Sequence, residues 1–185
     1  MKATGIVRRI DDLGRIVIPK EIRRTMRIRE GDPLEIYTDR EGEVIFKKYS
    51  PIGELGAFAA QYADTLHKTC SLCVVICDRD AVIASAGVSK KEYNEQALSA
   101  ALEDVIARRA FYQHHASEEK IPVLARDMGE NTRYVRCAMS IISEGDIIGC
   151  VASVASGDGG SPLAEDVEAK LIQTAAGFLG RQLEG

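Results

Sequence analysis

Six guanidinium groups fall within twenty residues near the start of this 185-residue chain, at Arg8, Arg9, Arg15, Arg23, Arg24 and Arg27, with only Asp11, Asp12 and Glu21 among them to pair with. Arginine outnumbers lysine here, and a planar guanidinium suits bidentate contacts to phosphate oxygens and to guanine edges better than an ammonium does. Any single one of these arginines reads most simply as a solvated surface charge. Six together, short of carboxylate partners, point to a polyanion. Lys2 is a further phosphate contact by charge alone.

Three other groupings could carry chemistry. Cys70, Cys73 and Cys77 suggest a metal or thiol-redox centre. On a strand, however, Cys73 and Cys77 would lie ~13 Å apart along one face. That is too far for two thiolates on one ion with bonds of about 2.3 Å, and a cysteine also packs as a small hydrophobe. His114 and His115 with Glu118 and Glu119 could hold a cation, but they read as a solvated loop. Gly157-Asp158-Gly159-Gly160 is glycine-rich without the Walker or G-x-G-x-x-G spacing. With three histidines in the chain, two of them adjacent, and no G-x-S-x-G or H-E-x-x-H, no catalytic set can be assembled. An enzyme is not expected, nor a cofactor.

The formal net charge of −4 hides a strong asymmetry: residues 1–29 sum to +6, residues 30–50 to −3 and residues 51–185 to −7. A basic head on an acidic body suggests two units with different partners. Ser50-Pro51-Ile52-Gly53 is the best candidate boundary. There is no apolar run of membrane-spanning length. The first residues lack the apolar region of a signal peptide, and five cysteines suit no disulfide framework. A cytoplasmic protein away from the membrane is expected.

The elements that must position the arginines are short. Residues 5–10 and 15–18 read as two strands joined by the turn Asp11-Asp12-Leu13-Gly14. Pro19 then starts a helix running to about Arg27, with Ile22 and Met26 on its apolar face. Leu34–Thr38 and Val44–Lys48 form a hairpin around Asp39-Arg40-Glu41-Gly42. A unit of this size rarely buries enough surface to fold alone. It has no Cys or His for a disulfide or metal, so dimerisation is the remaining remedy, and a symmetric dimer would match two-fold DNA half-sites.

In the remaining 135 residues, Ser50-Pro51 opens an amphipathic helix carrying Leu55, Phe58, Ala59, Tyr62 and Leu66. Strands are expected at 72–77, 81–86, 121–125, 135–142 and 147–155. A helix begins at the Ser89–Glu92 capping box and carries Leu98, Leu102, Val105 and Ile106. Ser161-Pro162 opens a last helix whose apolar face is broad enough for a partner helix. The whole is an α+β arrangement on a mostly antiparallel sheet.

The run MKATGIVRRIDDLGRIVIPKEIRRT followed by REGDPLEIYTDREGEVIFKKY resembles the AbrB-type swapped-hairpin DNA-binding domain of transition-state and sporulation regulators. TGIVR, the D-x-LGR turn and the IPKEIRR helix carry the resemblance. With its second unit, the whole chain resembles the stage V sporulation protein T family, an AbrB-type domain joined to a GAF-like domain. The resemblance implies a β-barrel formed by hairpins from two chains over residues 1–50, a connecting helix over 51–69, and a GAF-like α/β sandwich over 70–185 for sensing and oligomerisation. It implies double-stranded DNA as partner, contacted by Arg8, Arg15, Arg23 and Arg24, with Arg9 and Lys2 added by charge. It also implies a homo-oligomer, dimeric through the hairpins and tetrameric through the C-terminal domain, acting as activator and repressor of late sporulation genes. An unidentified small molecule in the GAF-like domain fits that picture. The alternatives are a metal- or thiol-redox-sensing regulator and the antitoxin of a toxin–antitoxin pair.

Overall fold

The computed structural model describes residues 5–126, 133–156 and 160–184, and Lys2 and Gly157–Gly159 lie outside them. The chain divides into two compact units, 1–49 and 50–185.

In the first unit, helix α1 (Lys20–Thr25) follows the buried Pro19, whose ring presets a helical φ. Strands β1 (Leu34–Thr38) and β2 (Val44–Lys48) pair antiparallel, Leu34 facing Lys48 and Thr38 facing Val44. Their turn is made by the Asp39 carboxylate, which accepts the amides of Glu41 at 3.0 Å and Glu43 at 2.8 Å. Gly42 supplies the positive φ of 85° that other residues adopt only with strain. Lys48 ties the hairpin to the chain after α1, donating to the Arg27 carbonyl at 2.9 Å and lying 3.7 Å from the shielded Asp32 carboxylate.

The strands expected at 5–10 and 15–18 are not formed. Only the reversal between them exists, closed by the Asp11 amide donating to the Arg15 carbonyl at 3.0 Å. A strand requires a facing strand for its N–H and C=O groups, and none of the described residues supplies one.

In the second unit, the expected single connecting helix is interrupted at Leu55, giving α2 (Pro51–Glu54) and α3 (Gly56–Cys70). The Ser50 hydroxyl does cap α2, accepting the Gly53 amide at 3.2 Å. Strands β3 (Val74–Cys77) and β4 (Val82–Ala86) follow. The helix expected from Ser89 ends after one turn as α4 (Lys90–Tyr93), because Asn94 is extended and Glu95 has φ 64°. The productive cap lies ten residues on, where the Ser99 hydroxyl accepts the Leu102 amide at 3.1 Å and opens α5 (Ala100–Ala107).

Tyr112–Gln113 forms β5, which periodicity did not reveal because two residues carry no period. Residues 121–125 make only isolated bridges, Leu98 to Leu124 and Pro122 to Tyr134, since Pro122 has no N–H for a ladder. Strands β6 (Arg133–Ser143) and β7 (Asp146–Ser156) form a long hairpin, and α6 (Glu165–Gln182) closes the unit. Ser161-Pro162 does not cap α6; the helix starts after Ala164.

The sheet runs β4-β3-β7-β6-β5, every neighbouring pair antiparallel. One face packs Val74, Ile76, Ile141 and Val151 against α3 and α6. The other packs Val75, Cys77, Ala138 and Ala152 beneath α5 and the 121–124 segment. This alternation is the period-two signature of strands buried on both faces.

Pairing shifts between Val135 and Cys137, leaving Arg136 as an inserted residue. It is a β-bulge, a feature that re-aims a side chain. The Cys137 amide is recovered by the Ser153 hydroxyl at 3.1 Å.

At Gly180 the backbone of α6 approaches β6 so closely that a Cβ would lie 2.2 Å from the Ile142 carbonyl oxygen. We predict that Gly180→Ala forces α6 off the sheet and costs about 1–3 kcal/mol. Urea denaturation followed by circular dichroism measures it, and an unchanged midpoint would refute the close approach.

Candidate nucleic-acid interface

The reversal at residues 11–15 sets Arg15. The Asp11 carboxylate accepts the amides of Leu13 at 3.1 Å and Arg15 at 2.7 Å, and on its other oxygen the Arg15 Nε at 2.7 Å. Gly14, with φ 76°, permits the turn. Hydrogen bonds from the Arg15 backbone and side chain hold the Asp11 carboxyl below its ordinary value. Arg15 is thereby held at its Nε edge while its side chain remains 69% exposed.

Arg8 and Arg9 are exposed on the limb before this reversal, and Arg23 and Arg24 sit in the last turn of α1. Arg24 is exposed. Arg23 is half-buried, and its Nε has no hydrogen-bond partner among the described residues. No described carboxylate pairs with Arg8, Arg9, Arg23 or Arg24. The candidates therefore occupy three segments of one small unit: the two limbs of the 5–18 reversal and helix α1. Arg27 leaves the helix with φ 51°, its carbonyl engaged by Lys48.

Apolar side chains surround them. Val7, Leu13 and Val17 are 86%, 70% and 71% exposed, and Ile10, Met26, Ile36 and Val44 also face outward. Among its described residues the unit buries none of its larger apolar side chains.

The other groupings separate. Cys70 packs against the α3–α6 side of the sheet, while Cys73 and Cys77 belong to the α5 side. Among the described residues no three His, Cys, Asp or Glu side chains converge as a metal site. His114 packs edge-on against Tyr134 with ring centroids 4.9 Å apart. Burial pushes its pKa down, against an opposing pull from Glu118. His115, Glu118 and Glu119 are exposed.

Sequence reasoning missed the Asp11–Arg15 tie and one feature of the second unit. Glu168 is 1% exposed on α6, beside Arg136 at 3.3 Å. The signal was present, since Glu168 stands one turn before Ile172 on the same helical face as the apolar stripe Ile172, Ala175, Ala176 and Leu179.

Residues 54–184 match the family described as Stage V sporulation protein T C-terminal, transcription factor, and residues 7–53 match that described as Antidote-toxin recognition MazE, bacterial antitoxin. The chain is 51% identical to Stage V sporulation protein T of Bacillus subtilis over 184 residues, covering 100% of this chain and 99% of that protein. It is 63% identical over 51 residues to Transition state regulatory protein AbrB of the same organism, covering 28% of this chain and 52% of that one. The structure of a type II free methionine-R-sulfoxide reductase from Thermoplasma acidophilum aligns at 9% identity and a TM-score of 0.50, covering 71% of this chain and 94% of that one. The last likeness is one of fold alone.

Burial of the thiols has a measurable consequence. Desolvation raises Cys137 to about 11, Cys150 to about 12 and Cys77 well above the ordinary value. A thiol held neutral in the fold stabilises it fully below the unfolded pKa near 9, and that contribution is lost as pH rises towards about 11 for Cys137. We expect Cys77, Cys137 and Cys150 to resist a thiol reagent at pH 8 until guanidinium unfolds the chain. Rapid reaction of all five thiols in the native protein would contradict this.

Proposed function

The chain belongs to the stage V sporulation protein T family, and from that premise we propose that it is a DNA-binding transcription regulator of late sporulation genes, acting as both activator and repressor in the cytoplasm. The observation that carries the DNA contact is the set of arginines without carboxylate partners among the described residues, Arg8, Arg9, Arg23 and Arg24, joined by Arg15 on its Asp11 tether. In the proposed mechanism their guanidinium groups displace counterions from phosphates and reach base edges where the duplex permits. Lys2 adds a phosphate contact. No helix among the described residues is long and apolar enough to cross a membrane, which agrees with such a role.

Dimerisation follows from the same unit. Val7, Leu13 and Val17 stand exposed, and residues 5–10 and 15–18 join no strand ladder among the described residues. A second copy that interleaves its hairpins supplies both missing strands and missing core, and it doubles the basic surface. The second unit assembles dimers into tetramers through the outer faces of α3 and α6, where Phe58 and Tyr62 meet the exposed Phe178 at 5.9 and 5.5 Å between ring centroids. Its sheet-and-helix body senses a small molecule and performs no catalysis. An antitoxin reading draws only on residues 7–53, whereas the likeness to the sporulation protein spans the chain.

Gel-shift titration of the full chain on duplex DNA provides the test. Arg23→Ala and Arg24→Ala should each weaken binding by ~1–3 kcal/mol while leaving the oligomer intact in sedimentation. The logarithm of the association constant should fall against the logarithm of salt with a slope of several units. A flat salt response would reduce the arginines to a solvated surface. Residues 1–50 expressed alone should be dimeric or unfolded, and a folded monomer in sedimentation would rule out the interleaved barrel.

A further inference from the structure

The second unit contains a cavity of about 450 Å³ where the start of β6 and the end of β7 meet the beginning of α6. Leu72, Cys73, Arg133, Arg136, Ser161 and Glu168 are among its walls. Its size lies within the range of small-molecule pockets. It is open to solvent on one side, and its charge is concentrated on its buried wall.

Glu168 is 1% exposed, and neither of its carboxylate oxygens has a hydrogen-bond partner among the described residues. Arg136 Nε lies 3.3 Å from Oε2, within ion-pair distance, yet it too makes no hydrogen bond. The pair is attracted by charge without a hydrogen bond at the Arg136 Nε or at either carboxylate oxygen among the described residues. A buried carboxylate in that state is costly unless another donor completes it. Arg133, on the same wall, reaches among the described residues the Cys73 sulfur at 3.7 Å, and a thiol is a weak acceptor. The bulge at Arg136 belongs to the same construction, since it brings that side chain to Glu168 while Val135 and Cys137 serve opposite faces of the sheet.

The cavity thus presents two guanidinium groups and one carboxylate. An anion alone would answer Arg133 but leave the Glu168 oxygens unpaired beside it. A cation alone would do the reverse. We propose that the cavity binds a small zwitterion of the free α-amino-acid class, its carboxylate held by Arg133 and its ammonium by Glu168. Arg136 fixes the orientation of Glu168, and Leu72 and Val154 offer apolar wall to the ligand's side chain. The assignment rests on the proposed sensing role and names the chemistry that would be sensed.

The test uses the full chain and calorimetric titration with the standard free α-amino acids, one at a time, at millimolar concentration. Acetate and methylamine serve as the two half-ligands. At least one amino acid should bind more tightly than either half, and both Glu168→Gln and Arg133→Gln should weaken it by about tenfold or more. Arg133 is half-buried and has one weak partner among the described residues, so Arg133→Gln remains informative if Glu168→Gln fails to fold. Absence of binding by every amino acid, binding retained in Arg133→Gln, or acetate binding as tightly as the amino acid would each overturn the assignment. Gel shifts with and without the bound amino acid separate the two readings: an unchanged DNA affinity beside intact binding ends the sensing role and leaves the site standing.

Discussion

Apolar burial governs the N-terminal unit, because a chain of about fifty residues with exposed Val7, Leu13 and Val17 has no way to shield them with its own atoms. Among the described residues, twelve of the fourteen exposed large hydrophobics belong to residues 1–49. Disulfides and metal ligation are closed to a segment without Cys or His. The basic side chains are distributed over limbs that carry this unmet demand. In the proposed function, assembly and DNA contact are coupled, since the arginines acquire a rigid frame when a second copy covers the apolar surface between them.

The second unit obeys the opposite logic. Its sheet is covered on both faces, and successive buried residues along β3, β6 and β7 serve alternate faces. Departures from that regularity are few and localised. One is the bulge at Arg136, which sacrifices a ladder position and recovers the next amide through Ser153. Another is Gly180, where absence of a Cβ lets α6 approach the Ile142 carbonyl. The buried thiols at Cys77, Cys137 and Cys150 fill space in this interior and are kept neutral by it.

Legibility differed between elements for identifiable reasons. The β1–β2 hairpin was readable to the residue because its turn is made by local groups, the Asp39 carboxylate and Gly42. The pairs β3–β4 and β6–β7 were readable within two residues at either end from their β-branched and apolar runs. Ser89 and Ser161 misled, since a serine before a helical pattern caps only if the backbone after it stays helical. Asn94 and Glu95 end the first helix, and α6 waits until Ala164. Residues 121–125 had the composition of a strand but lacked an unbroken row of N–H groups. Among the candidate site residues, all five described arginines lie on the limbs or the helix expected from spacing, while the Asp11 tether was overlooked.

What the sequence by itself determined is everything that depends on neighbours along the chain: the turns, the uneven charge, the short hairpin, and the family to which motif and pattern belong. Only tertiary structure decided what depends on distant partners. The limbs at 5–10 and 15–18 are strand-like in composition, yet a ladder needs a second strand and none of the described residues is placed to be one. Glu168 and Arg136 lie 32 positions apart in sequence and meet only because a bulge turns one and a helix buries the other. Local pattern specifies which backbone a segment prefers, whereas pairing, burial and the choice of ionic partner are set by whichever surfaces the fold brings into contact.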